Sequence, residues 1–207
     1  MEKKLDLRIE KTYLMLHNAF TELLEQRRFE DFTVNELCQR AMIRRTTFYK
    51  HFADKYEYFT FYIREVGQSF QDQLPPDALS DNLDAYFLLM CRELLRFVTT
   101  HEAMVKHVME SNVSSILFDS LSEFIAFDVL QVLRKMPMLS GTSSDQLEGI
   151  AAFYSGGMLS TLRFLLRQGR PIDEEQFIGI IAAFLREKSV QADVPGKQSC
   201  SIRTLDG

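Results

Sequence analysis

The chain has 207 residues, of which 46% are hydrophobic and 26% charged, and its formal net charge is −5. These fractions are ordinary for a globular protein and exclude a disordered or collagen-like chain. Nine Gly and five Pro are too few for the many turns of an all-β protein, so an all-α fold is expected. The three cysteines lie far apart and form neither a disulfide framework nor a C-x-x-C metal or redox site.

The sequence lacks the apolar stretches that target a chain to a membrane. The N-terminal segment has no signal-peptide pattern, and the strongly apolar run Phe177 to Leu185 is about half the length that spans a bilayer. We therefore expect a cytoplasmic protein with no membrane partner.

Positive charge is concentrated near the N-terminus. Residues 1–55 contain 11 Lys and Arg against nine Asp and Glu, whereas the whole chain contains 24 against 29. Residues 33–52 are more basic still, with four Lys or Arg and a single acid, Glu36. Such a patch suggests a polyanionic partner, although a solvated helix face has the same composition.

The first 32 residues predict one helix and a short break. An apolar stripe from Ile9 to Leu24 has helical spacing, and Asp6 is suited to cap its start. Thr33, followed three residues later by Glu36, is a capping box that opens a second helix of about two turns.

A third short helix is predicted from Arg44 to His51, with Phe48 and Phe52 directed inward. Asp54 then caps a long fourth helix, which is expected to run to about Leu74 and to stop before two prolines. Residues 1–55 are therefore interpreted as one small helical module.

The rest of the chain also reads as helical. Apolar stripes from Leu83 to Val98 and from Ile116 to Leu133 predict two amphipathic helices. The segment Asp145–Gly169 is apolar on most of its surface, and Asp173 caps a last helix with a wide apolar face. These two helices need a partner surface, and residues 188–207 are expected to form a disordered tail.

No enzyme motif is present. The sequence has no G-x-G-x-x-G, G-x-x-x-x-G-K, H-E-x-x-H or G-x-S-x-G pattern. His101 and His107 are six residues apart, which places them on opposite faces of a straight helix. We therefore expect no catalytic site, no metal site and no cofactor.

Residues 33–55 have the pattern of a helix-turn-helix, with a second helix rich in Arg, Thr, Tyr, Lys and His. Arg side chains fork onto guanine edges, Thr methyls touch thymine methyls, and Lys and Tyr hold phosphates. The string TVNELCQRAMIRRTTFYKHFADK resembles the DNA-binding signature of the TetR/AcrR family, typically T-(x)3-(I/L)-(x)3-A-G-V-S-x-x-(T/S)-(L/F)-Y-x-(H/Y)-F-x-x-K.

The resemblance implies an all-helical homodimer that binds double-stranded operator DNA. Residues 1–55 would form the DNA-binding domain and residues 56–187 a helical domain for ligand binding and dimerisation. By position in the motif, Arg44, Arg45 and Thr47 would face base edges, and Thr46 would lie against the DNA. The phosphate contacts implied are those of Thr33, Tyr49, Lys50, His51 and Lys55.

Two positions depart from the family pattern. Met42 stands where Gly is common, and because a Met at positive φ costs energy that Gly avoids, a slightly altered turn is expected. Arg44 replaces the usual Ser or Asn cap of the recognition helix, which leaves the start of that helix undefined.

The C-terminal part carries a second resemblance. Residues 153–169, followed by Asp173-Glu-Glu, are similar to a Firmicutes-type branch of the family that includes regulators of dihydroxyacetone kinase operons, with Phe164 where that branch often has Trp. The family dimerises through its last two helices, which implies an interface formed by Phe153, Gly157, Phe164, Phe177, Ile181 and Phe184.

A pocket for an inducer is expected between helices four and seven. Aromatic residues at helical spacing belong more often to an ordinary core than to a pocket, and this alternative stays open. The residues assigned to the pocket are Tyr62, Tyr86, Arg92, His107 and Phe124.

The function expected from these features is that of a dimeric, sequence-specific transcriptional regulator. Repression of a palindromic operator, relieved by a small-molecule inducer of unknown class, is the first reading, although the branch leaves the direction of regulation open. The alternative is a helical adaptor that binds another protein and has lost its ligand response. An enzyme is the third alternative, because the sequence contains none of the enzyme motifs named above.

Overall fold

A computed structural model describes residues 7–73, 83–169 and 171–191. Within these ranges every regular element is a helix and there are no strands, as the sequence predicts. The helices are α1 (Leu7–Gln26), α2 (Val34–Arg40), α3 (Arg45–Phe48), α4 (Lys55–Gln73), α5 (Leu83–Thr100), α6 (Glu102–Met109), α7 (Ser114–Lys135), α8 (Ser144–Leu166) and α9 (Glu174–Gln191).

The N-terminal helices and the start of α4 pack around a cluster of aromatic rings. Phe20 of α1 is fully buried, and its ring centroid lies 5.0 Å from that of Tyr58 on α4 and 5.7 Å from that of Phe32. Edge-to-face pairs at these distances stabilise a core beyond the area that they bury. The cluster therefore fixes α4 against the module formed by α1 to α3.

The caps predicted for α4 and α9 are present. The Asp54 carboxylate accepts hydrogen bonds from the backbone N–H groups of Tyr56 and Glu57, both at 2.8 Å. Asp173 accepts in the same way from the N–H of Glu175, at 3.0 Å. Gly169 follows α8 at a φ of 65°, the left-handed conformation expected of a C-terminal Gly.

Three boundaries differ from the prediction. Helix α3 ends at Phe48 and continues as a turn through His51, so the recognition helix is shorter than expected. The break at His101 creates a separate α6, which the sequence reading missed. Helix α9 runs to Gln191, four residues into the expected tail. The proposed cap Asp6, the prolines after α4 and residues 192–207 lie outside the described residues.

In the larger C-terminal part, α7 packs along both α4 and α8. Gly67 of α4 leaves room for the ring of Phe124 on α7, because a Cβ at this position would lie 2.9 Å from Cε1 of Phe124. Helix α5 contacts α9, and α6 lies against α1. None of the helices in the described ranges combines the length and apolar character needed to cross a bilayer.

Candidate nucleic-acid interface

The start of α2 is held by the predicted capping box. The backbone N–H of Thr33 donates to Glu36 Oε2 at 2.8 Å, and the N–H of Glu36 donates to Thr33 Oγ1 at 3.2 Å. The other carboxylate oxygen of Glu36 lies 2.9 Å from Nη2 of Arg27. These bonds to the carboxylate lower the pKa of Glu36. The Thr33 hydroxyl, exposed but bonded to Glu36, therefore serves first to start the helix.

The turn between α2 and α3 is closed by two backbone hydrogen bonds. The N–H of Met42 donates to the carbonyl of Gln39 at 3.1 Å, and the N–H of Ile43 donates to that of Cys38 at 3.0 Å. This is a Schellman motif, whose left-handed residue is Met42 at a φ of 54°. The turn thus keeps the geometry that Gly favours, and the alteration expected from the sequence does not occur.

Helix α3 is anchored by one face. Phe48 is fully buried and Phe52 is 5% exposed. The N–H groups of Thr47 and Phe48 donate to the carbonyl of Arg44, which defines the helix start without a side-chain cap. The N–H groups of His51 and Phe52 bond to the carbonyl of Phe48 and extend the structure as a turn.

The opposite face of α3 presents cations to solvent. Arg44, Arg45 and Lys50 are exposed, and none of them has an ion-pair partner among the described residues. By contrast, Arg40 pairs with Glu22 at 3.2 Å. The Arg45 guanidinium lies 5.7 Å from the ring centroid of Tyr49, which is itself 47% exposed. We call the surface formed by Arg44, Arg45, Thr46, Tyr49 and Lys50 the α3 face.

Two of the predicted contact residues lie at the border of this face. Thr47 is half-buried. His51 is also half-buried, with its Nδ1 3.2 Å from the hydroxyl of Tyr13 on α1 and the two rings edge to face. The structure therefore brings the predicted base-facing residues together, and it ties His51 to the first helix.

Lys55 departs from the expectation. Its ammonium donates to the backbone carbonyls of Phe29, at 2.5 Å, and of Phe32. It also lies 4.2 Å and 4.4 Å from the ring centroids of the same two residues. Burial lowers the pKa of Lys55. Two of the three ammonium hydrogens are thus engaged within the protein, which the sequence did not predict, and Lys55 holds α4 to the loop before α2. Its phosphate contact stays a prediction.

Within the described residues, the side chains assigned to the ligand pocket do not line one common cavity. An apolar cavity at α4 has a volume of about 60 Å³, whereas sites for small molecules usually measure about 300–1,000 Å³. Of the residues assigned to the pocket, Tyr62 alone lines this cavity. Its hydroxyl lies 2.8 Å from Thr21 Oγ1, and burial raises its pKa to about 12.

The other four residues assigned to the pocket are dispersed. Tyr86 is buried in the core, at 2% exposure. Arg92 is exposed and pairs with Glu174 at 3.8 Å. His107 donates from Nδ1 to the carbonyl of Leu24 at 2.8 Å, and Phe124 packs on Gly67. Local helical spacing could not distinguish such packing roles from a shared cavity.

The predicted dimer residues fall into two groups. Phe153, Phe164 and Phe184 are 53%, 62% and 43% exposed, and Gly157 is exposed between them along α8. The rings of Phe153 and Phe184 lie 5.3 Å apart, so α8 and α9 share one apolar surface. Phe177 and Ile181 are buried within the protomer, at 0% and 6% exposure. They belong to the core of the protomer, so their predicted place in the interface is corrected.

Helix α6 connects the N-terminal module to the larger part, a role that the sequence reading missed. Besides the bond from His107, Ser111 Oγ accepts from the N–H of Phe29 at 3.0 Å. His101, where α6 begins, lies 3.3 Å from Oε1 of Glu25. In the described ranges, no three His, Cys, Asp or Glu side chains gather as a metal site requires.

Comparison with known proteins bears on the fold. No family model and no curated protein matches the sequence. Among solved structures, "Dihydroxyacetone kinase operon activator DhaS" superposes with a TM-score of 0.53 at 18% identity, covering 86% of this chain and 95% of that chain. The chain has a TetR-like, all-helical fold. At this identity the likeness shows the fold alone.

Proposed function

We propose that the protein is a DNA-binding transcriptional regulator that recognises a specific operator. The observation that carries the proposal is the α3 face, where three exposed cations without ion-pair partners among the described residues surround a short helix and turn anchored by the buried Phe48. The regulator named among the solved structures gives the proposal general support, since its name describes an operon activator. The proposal is for a cytoplasmic binding protein rather than an enzyme.

In this proposal the α3 face enters the major groove. The guanidinium groups of Arg44 and Arg45 read guanine edges, and Thr46 and Thr47 contact methyl groups or backbone. Lys50 and Tyr49 hold phosphates and set the register, as such contacts do in helix-turn-helix proteins. Arg40 contributes little, because Glu22 balances its charge.

Two copies are proposed to act together. The exposed apolar surface of α8 and α9 is suited to self-association, which would place two α3 faces on successive major grooves about 34 Å apart. The operator would then be palindromic. Repression relieved by a small molecule is the first proposed direction of regulation, and activation is the second, as in the operon activator that shares the fold. A promoter–reporter assay distinguishes the two.

The test is selection of genomic DNA fragments on the purified protein, followed by gel-shift titration of the retained sequence. Arg45→Ala should weaken specific binding by about 1–3 kcal/mol, because a forked base contact is lost. Lys50→Ala should weaken specific and nonspecific binding alike and reduce the salt slope by roughly one.

Arg134→Ala is the matched control, since Arg134 is exposed at the end of α7 and remote in sequence from the α3 face. It should leave both affinities unchanged. If no fragment is retained, or if Arg45→Ala binds like the unmodified protein, the proposed role of α3 is wrong. The adaptor would then become the better description.

A further inference from the structure

A groove separates α6 from the C-terminal end of α8. Its volume is about 740 Å³, which lies within the usual range for a small-molecule site. Val105 and Met109 of α6 face Leu166 of α8 and Ile172 of the following loop across it, so part of the lining is apolar. The groove is distinct from the small cavity at α4, with which it shares only Val105.

One wall of the groove holds an incompletely bonded guanidinium. The guanidinium carbon of Arg163 lies 4.8 Å from the ring centroid of Phe118. Its Nε is buried and has no hydrogen-bond partner among the described residues. A buried donor without an acceptor is costly, and because Nε is closed to solvent, an oxyanion in the groove would bond it only after a shift of this side chain, which would relieve that cost with a charge-assisted hydrogen bond.

The charges of the groove are distributed unevenly between its two walls. On α6, Lys106 lies one helical turn from Glu102 and one turn from Glu110, so this wall carries one formal negative charge in excess. On α8, Arg163 and Arg167 are one turn apart, and no ion pair reaches either of them within the part of the chain that the structure describes. The surplus positive charge therefore lies on the α8 wall.

We propose that this groove binds a small amphipathic molecule that carries a carboxylate or phosphate group. The oxyanion accepts from Arg163 and Arg167, and the apolar body lies against the side chains of Val105, Met109 and Leu166. The carboxylates of Glu102 and Glu110 on the opposite wall accept from hydroxyl groups of the ligand.

The position of the groove would allow a bound ligand to affect the N-terminal module through α6. Helix α6 lines the groove on one side, and on another it carries His107, which bonds to the carbonyl of Leu24 on α1. The turn after α6 also supports the loop before α2 through Ser111 and Phe29. A ligand that holds α6 against α8 would change the position of these contacts with α1 and with the loop before α2. This regulatory step rests on the proposed function, whereas the binding site does not.

Calorimetric titration of the full-length protein tests the site. Octanoate and monooctyl phosphate should bind at least ten times more tightly than uncharged 1-octanol, and the stronger of the two anions identifies the preferred oxyanion. Arg167→Gln and Arg163→Gln should each weaken binding of the anions about tenfold and leave 1-octanol unaffected. Arg163→Lys keeps the charge without the planar fork and should show an intermediate loss.

Arg134→Gln, an exposed charge outside the groove, is the matched control and should bind like the unmodified protein. Equal affinities for the anions and 1-octanol would overturn the proposal. So would unchanged anion binding in Arg167→Gln. Because the Arg167 side chain is exposed, a loss of anion binding in this variant is not explained by misfolding.

Gel-shift titration with saturating monooctyl phosphate tests the regulatory step. Operator affinity should change at least fivefold, the lower end of ordinary coupling between two sites. Unchanged operator affinity alongside anion binding would overturn the coupling and leave the site. If the protein retains no DNA at all, the proposed function fails, and calorimetry alone then decides whether the groove is a ligand site.

Discussion

Met42 adopts a backbone conformation that its residue type disfavours. Its φ of 54° lies in the left-handed region, where a Cβ meets the following carbonyl at a cost of about 1–2 kcal/mol. Its side chain is 85% exposed and makes no compensating contact with the core. The two hydrogen bonds of the Schellman motif hold the residue in this conformation. The turn that aims α3 therefore contains local strain.

Met42→Gly should raise the free energy of unfolding by about 0.5–1 kcal/mol. The relief of strain exceeds the extra entropy that Gly gives the unfolded chain. Chemical denaturation at neutral pH measures the change, and Met42→Ala is the control, because Ala has the same Cβ and should differ little from Met. A destabilised Met42→Gly protein would show that the Met side chain contributes contacts of its own.

Some roles of single residues can be predicted from the sequence, and others cannot. The capping box of Thr33 and Glu36 was predictable, because the bonds are local and the spacing is characteristic. The role of Lys55 was not, since the carbonyls that it binds belong to residues 26 and 23 positions earlier. Charge along a sequence does not reveal which cations the fold engages internally.

Asp128 of α7 links two of the longer helices through a buried carboxyl group. It is 3% exposed, and its Oδ1 accepts a hydrogen bond from Gln71 of α4. Its Oδ2 has no hydrogen-bond partner within the part of the chain that the structure describes. Burial raises the pKa of Asp128 to about 6, from an ordinary value of 3.8, although the bond from Gln71 acts in the opposite direction.

This shift predicts a dependence of stability on pH. The folded protein holds the Asp128 proton to higher pH than the unfolded chain does, so this contribution to stability falls as pH rises from about 4 through about 6. Asp128→Asn keeps the acceptor for Gln71 without the charge. It should raise the free energy of unfolding by roughly 1 kcal/mol at pH 7.5 and have little effect near pH 4.

Denaturation curves at the two pH values measure this difference. Asp119→Asn is the control, since Asp119 is an exposed carboxylate on the same helix, and it should change stability little at either pH. A stabilisation by Asp128→Asn that is equal at both pH values would contradict the assignment of charge burial.

The helices themselves were largely readable, because apolar periodicity and end caps are local signals. Helix α6 was not predicted, because the break at His101 has no Gly or Pro to mark it. The ligand residues were assigned wrongly to a common cavity for a different reason. A cavity is a property of helices packed together, and spacing along one helix is the same for a residue that packs and for one that lines a cavity.

At the scale of the whole molecule, the apolar surface on α8 and α9 suggests how two copies meet. Phe153, Phe164 and Phe184 remain substantially exposed in the protomer, together with Ile180 at 42%. Scattered exposed apolar residues are normal, whereas a contiguous patch of large ones usually marks an interaction surface. Gly156 and Gly157 add room, since a Cβ at either would meet no atom within 4 Å.

Light scattering should therefore give twice the chain mass of 24.1 kDa at micromolar concentration. Phe184→Glu combined with Phe164→Glu should shift the protein to the monomer, because two charges would lose water on association. Leu14→Glu replaces a residue of α1 that is 61% exposed and should leave the dimer intact.

Because a monomer presents a single α3 face, the double variant should also bind a palindromic operator far more weakly while keeping its nonspecific affinity per protomer. A monomeric unmodified protein would contradict dimerisation, and a double variant that still dimerises would place the interface on another surface.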